Sequence, residues 1–206
     1  RVKYLADSQI TSDLLSGASA VLVDEAHLLS QEKLEYLLRY CGNRPVIFSS
    51  DYENMLSPEE LDRAAVHALE QISGIQSFRL TNRIRTNAEI SSFIQNMMCL
   101  PERKKGRHFP HVTVLYANDD READVLLSDA QHQGYQEILN EAEPAICAGR
   151  LAMVLDQRYF YDRQNYLRSE DRSVRRLFHQ LNGAKEELLL VVKQNEPLYA
   201  VLLDLL

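Results

Sequence analysis

Two adjacent carboxylates close a short apolar run in Ala20-Val21-Leu22-Val23-Asp24-Glu25-Ala26-His27, and by type and spacing they are the side chains best suited to chemistry. Apolar residues without polar alternation predict a central strand of a parallel sheet, covered on both faces. Ligands of such sheets bind outside the carboxyl ends of the strands, where Asp24 and Glu25 would emerge. In a nucleotide hydrolase the first acid of such a pair holds Mg2+, usually through water, and the second orients or deprotonates the attacking water. Asp24 is therefore the candidate metal ligand, with Glu25 beside it as the candidate catalytic base. The plainer alternative is a strand that ends in solvated acids, and the following Ala26-His27 weighs against it.

The elements needed to position these acids are legible on both sides. Residues 31–40 place Leu34, Leu37 and Leu38 on one face of a helix, and Gly42-Asn43 ends it. Pro45-Val46-Ile47-Phe48-Ser49-Ser50-Asp51 reads as a second parallel strand with Asp51 at its carboxyl end, completing a βαβ unit. Before it, residues 1–19 suit a peripheral helix or turn, with Thr11-Ser12-Asp13 among the possible caps. After it, Ser57-Pro58-Glu59-Glu60 starts a helix expected to reach Ile72. A short strand from Phe78 then delivers Arg83 and Arg85 to a helix capped by Thr86 or Asn87, where a guanidinium fork could meet a phosphate or pair with Glu89.

Composition sets outer limits. The 206 residues suffice for one large or two small domains, and 45% hydrophobic with 26% charged residues is ordinary for a globular protein. No membrane span or signal-peptide core is evident, and Cys41, Cys99 and Cys147, unpaired in spacing, read as reduced core thiols of a cytoplasmic protein. The net charge is −7, with 9 basic and 13 acidic groups in residues 1–100 and 14 and 17 in the remainder. Any surface that tracks a phosphate backbone must therefore be a local patch, and residues 150–185, with eight basic and four acidic residues, form the one basic stretch. The six histidines lack metal-ligand spacing, and none of the seven glycines belongs to GxxxxGK[ST].

Asp-Glu-Ala-His at 24–27, Phe-Ser-x-Asp at 48–51 and Leu-Thr-Asn-Arg-Ile-Arg-Thr-Asn-x-Glu-Ile-x-x-Phe-Ile at 80–94 together resemble a bacterial and phage DNA/RNA helicase domain family related to the Schlafen C-terminal helicase, in superfamily 1 of the P-loop NTPases. The resemblance implies an α/β fold of two RecA-like lobes, each a mainly parallel sheet flanked by helices, with the first lobe incomplete. The expected division is 1–100 for the first lobe, 101–110 for a polar basic linker and 111–206 for the second. The resemblance also implies ATP and Mg2+ as cofactors and DNA or RNA as partner. It makes Asp24-Glu25-Ala26-His27 the Walker B motif, with His27 coupling the nucleotide site to the second lobe. Asp51 and Asn54 would fall in motif III, Asn54 standing where a glutamine is usual, and Arg85 would be the phosphate-contacting arginine of motif IV.

The second half follows the same family pattern with departures. Strands are expected at 111–116, 151–156 and 188–192, and helices from Asp120 to near Gly134, from Ser173 to Leu181 and from Pro197 to Leu206. Tyr159-Phe160-Tyr161 could stack on bases or pack on the lobe. Ala145-Ile146-Cys147-Ala148 stands where a Gly-Gln-Glu-Phe-like motif V is usual, and Gly183 replaces the motif VI arginine finger, with Arg176 two turns earlier as a distant substitute. With the phosphate loop also missing, the chain is expected to be a fragment beginning after that loop or a degenerate relative. A partner could supply the loop in trans, and the alternative reading is a non-catalytic module that binds nucleic acid or protein.

Overall fold

Thr11 starts the first described helix by accepting the Leu14 N–H on its hydroxyl at 3.4 Å, and Gly17 ends α1 (Ser12–Ser16). The computed structural model describes residues 7–50, 56, 76, 78, 87–103, 108–138, 147–170 and 174–206. The chain divides into two units, Arg1–Phe78 and Arg79–Leu206.

In the first unit β1 (Val21–Val23) and β2 (Val46–Phe48) pair in parallel, with Val21 opposite Val46 and Val23 opposite Phe48. Between them α2 (Gln31–Cys41) is capped by Ser30 and buries Leu34, Leu37 and Cys41, so the expected βαβ unit forms. Gly42, at a φ of +58°, ends α2 in a conformation that strains any side-chain-bearing residue. Arg44 then ties both helix ends together, donating to Ser16 O at 2.7 Å and to Cys41 O at 3.0 Å. Leu15, Leu37, Cys41, Val21, Val23 and Val46 share one core. The expectation of a strand buried on both faces needs correction. Strand residues alternate, and among the described residues only the face turned to α1 and α2 is covered; Leu22 is 73% and its partner Ile47 61% exposed. The helix expected from Ser57 to Ile72 lies outside the described residues.

The second unit carries the larger sheet. Strands β3 (Val112–Ala117), β4 (Gln136–Glu137), β5 (Ala148–Leu155) and β8 (Ala184–Lys193) are all parallel, in the order β3-β8-β5-β4. Asn87 caps α3 (Ala88–Met98) by accepting the Glu89 N–H at 2.8 Å. Helix α4 (Asp120–His132) covers one sheet face, packing Ala123, Leu127 and Ala130 on Ala117, Ala152, Leu189 and Val191. On the opposite parity Leu151, Met153, Leu188, Leu190 and Val192 are fully buried as well, and α3, α5 (Val174–Leu181) and α6 (Glu196–Leu205) pack against β8. The fold is α/β, with a parallel four-stranded sheet flanked by helices as expected. Among the described residues no helix is long and apolar enough to cross a membrane. Of the three thiols expected in the core, Cys41 and Cys99 are buried, whereas Cys147, just ahead of β5, is exposed.

A hairpin not foreseen from the sequence joins β5 to α5: β6 (Tyr159–Tyr161) pairs antiparallel with β7 (Leu167–Ser169). Asp162 organises its turn. One carboxylate oxygen accepts from the N–H groups of Gln164 (2.9 Å) and Tyr166 (3.0 Å), and the other from Arg168 Nε (2.7 Å). Burial pushes the Asp162 carboxyl up, but these hydrogen bonds and the Arg168 charge outweigh it, leaving the group below its ordinary range. The charged form is therefore favoured by folding, a contribution present above the ordinary carboxylate range and lost as pH falls through the lowered value. Asp162→Ala is expected to cost ~1–2 kcal/mol at neutral pH, with the gap to the parent narrowing below about pH 4 in urea titrations. A constant gap down to pH 2.5 would contradict this role.

At the amino end of the sheet, Tyr135 donates its phenol to Glu187 at 2.6 Å, while Arg150 pairs with Glu187 at 3.1 Å and lies over the tyrosine ring. Burial, followed by the Glu187 hydrogen bond and charge, raises Tyr135 to about 12. Folding thus favours the neutral phenol, and this contribution is lost as pH climbs from the ordinary tyrosine value toward 12. Tyr135→Phe is expected to give a shallower loss of stability between pH 10 and 12, read by denaturant midpoints. An unchanged alkaline slope would show that Tyr135 does not set it.

Candidate functional site

Two backbone hydrogen bonds shape the end of β1. Ser49 N–H donates to Val23 O and Ala26 N–H donates to Ser49 O, both at 2.8 Å. The second bond pulls Ala26 back across the end of β2, so the two residues between Val23 and Ala26 must turn sharply. Glu25 absorbs the turn in the left-handed region, at φ 51° and ψ 41°. This conformation is uncommon for a residue with a side chain and is a form of strain that accumulates at functional sites. A single 3-10 turn, Ala26–Leu28, follows and drives His27 into the core, where it is 0% exposed.

The geometry gives the two acids different environments. Asp24 stands exposed at the carboxyl end of β1 and takes the Glu25 N–H on Oδ1 at 3.1 Å. Glu25 is half-buried, and its Oε2 lies 3.3 Å from Nε2 of His27. The imidazole is buried, and the carboxylate approaches its Nε2 without hydrogen-bond geometry. Asp24, Glu25 and His27 lie together at the end of β1. Asp51, Asn54 and Arg85 lie outside the described residues.

Chemically, the arrangement offers one exposed carboxylate at a strand end and a second beside a buried imidazole. Among the described residues no group of three His, Cys, Asp or Glu could by itself hold a metal ion. Asp24 nevertheless suits Mg2+, which keeps several waters and binds through one or two carboxylates plus the phosphates of its substrate.

The carboxyl ends of the larger sheet are occupied by their own chain. Asp119 caps α4 through the Glu122 N–H (2.8 Å), Glu122 accepts from Asn118 N–H (2.7 Å), Gln194 N–H donates to Ala117 O (2.9 Å), and Lys193 pairs with Asp120. An anion at the start of α4 would have to displace these carboxylates. Nor do other expected contributors serve a site in this unit. Arg176 is exposed and does not turn inward, Tyr159 is 2% exposed in the core, and Tyr161 donates its phenol to Met97 O at 2.8 Å. Of the aromatic triplet, Phe160 alone among the three faces solvent.

No protein-family model and no curated protein matches this chain. The strand-end site is thus characterised by its own geometry. Two features had no signature in the sequence: the left-handed backbone at Glu25 and the contact of Glu25 with His27. Both depend on the backbone bond from Ala26 to Ser49, a residue 23 positions away.

Proposed function

We propose that this chain is a degenerate relative of a helicase-like motor ATPase, with Asp24 holding the hydrated Mg2+ of a bound nucleoside triphosphate and Glu25 as the base for the attacking water. The observation that carries this reading is the delivery of adjacent acids to the carboxyl end of a strand in a parallel βαβ unit, with Glu25 in a strained turn set by the bond from Ala26 to Ser49. Mg2+ supplies charge neutralisation at the phosphates. Asp24 would hold that hydrated ion and Glu25 would accept a proton from water, with the buried His27 beside the Glu25 carboxylate. Within this proposal Asp51, Asn54 and Arg85 extend the nucleotide site, and DNA or RNA is the partner.

A second reading has its own support. Motif V is replaced by Ala145-Ile146-Cys147-Ala148, and Gly183 stands where the arginine finger belongs. These substitutions favour a non-catalytic interaction module of the same descent. Magnesium-dependent ATP turnover that disappears in Glu25→Gln supports the enzyme. No turnover and no nucleotide binding, with oligonucleotide binding that weakens as salt rises, supports the module.

A further inference from the structure

The geometry points to the free edge of β3 as a pairing surface for a second copy of this chain, the two β3 strands meeting antiparallel about a two-fold axis. Such pairing is independent of the strand-end chemistry. In the ladder with β8, Leu188 N–H donates to His111 O and Gln194 N–H to Ala117 O, both at 2.9 Å, so the backbone groups of Thr113, Leu115 and Ala117 face β8. Those of Val112, Val114 and Tyr116 face the opposite way. There Val112 N–H donates to Phe109 O at 3.0 Å, and among the described residues no strand lies beyond β3. Val112 O and both backbone groups of Val114 and Tyr116 thus line an edge open to another strand.

Natural sheets blunt such edges with short strands, charges, prolines or bulges. The opposite edge, β4, is two residues long and ends in Glu137. By contrast β3 has six residues, no charge, proline or glycine, and an unbroken register with β8. Its own sequence supplies the complement. With Val114 opposite Val114 of the second copy, each Val114 N–H meets the other's Val114 O and each Tyr116 N–H meets the other's Val112 O, leaving the Phe109 bond undisturbed. Val112 then stands beside Tyr116, a favourable pairing of a β-branched with an aromatic side chain. Tyr199 of α6 packs on Tyr116 with ring centroids 5.2 Å apart, and Leu203, one turn further along α6, is 46% exposed beside this edge. Charge also selects an antiparallel copy. Residues 101–111 hold four basic residues and one acid, with Asp204 on Arg103 and Glu89 beside His111, whereas residues 118–124 hold four acids and one arginine, with Lys193 on Asp120. The chain therefore enters β3 with a positive excess and leaves it with a negative one, and antiparallel pairing sets each end against its opposite.

Sedimentation equilibrium of the full chain is expected to show exchange between monomer and dimer. Amide hydrogen exchange read by NMR should find Val114 and Tyr116 protected only as concentration rises, with Thr113 and Leu115 protected throughout by β8. Val114→Pro deletes an outward N–H and spares the β8 ladder, so it should keep the far-ultraviolet circular dichroism of the parent and weaken dimerisation about tenfold or more. If that variant does not fold, exchange in the parent decides. Rapid exchange at Val114 and Tyr116 at every concentration would overturn the pairing, whether or not the chain is dimeric. A folded Val114→Pro protein that dimerises as the parent does would overturn it as well. Protection that does not change with concentration, in a monomer, would assign the edge to another segment of the same chain and overturn the second copy.

Discussion

Asn195→Ala is expected to cost about 3 kcal/mol of stability, a large effect for the loss of one uncharged polar side chain. Asn195 is 8% exposed, and its amide nitrogen donates to two backbone carbonyls, Asp156 O at 2.9 Å and Tyr159 O at 2.7 Å. Its amide oxygen accepts the Leu198 N–H at 3.2 Å and caps α6. One side chain thus joins the end of β5, the start of the hairpin and the final helix. Truncation leaves two carbonyls and one N–H without this partner in a space too enclosed for free exchange with water. Aspartate should restore the cap but not the two donated bonds, since an ionised carboxylate only accepts. Asn195→Asp should therefore recover less than half of the loss. Denaturant unfolding of the three proteins would test this, and a loss below about 1 kcal/mol in the alanine variant would contradict the assignment.

The sequence reading starts the last helix at Pro197 and assigns it no cap. It does not reveal the bonds to Asp156 and Tyr159, 39 and 36 residues away. The same division runs through the fold. Helix α2, helix α4 and strand β8 are legible because periodicity and caps are local properties of the chain. The exposure of Leu22 is not, because Val21-Leu22-Val23 reads the same whether a helix covers one sheet face or both. The hairpin escapes a sequence reading because its alternation is carried by only three residues per strand, with Asp162 and Asn165 as its turn signals. At the strand end, residue types identify Asp24 and Glu25, whereas their unequal exposure requires the long-range Ser49 bonds. Cys147 illustrates the opposite limit, as composition describes a thiol without placing it.

Glu25→Gln and Glu25→Gly are expected to separate stability from chemistry at the strand end. Glutamine is nearly isosteric and keeps the same backbone cost, so stability should change by less than about 0.5 kcal/mol. Loss of a positioned base should lower ATP turnover by roughly 10²–10⁴-fold. Glycine removes the carboxylate as well, yet it relieves the left-handed conformation at φ 51°. That relief, about 0.5–1 kcal/mol, is set against loss of the 3.3 Å contact with His27, a partly exposed pair of modest worth. Glu25→Gly should therefore be as stable as the parent or slightly more so, while its turnover falls as in Glu25→Gln. A residue that strains its own backbone and contributes no net stability is the signature of a position held for activity. If both variants retain parental turnover, Glu25 is not the base. If Glu25→Gly is destabilised by more than about 2 kcal/mol, the carboxylate is there to satisfy His27, and the strand end is a structural joint.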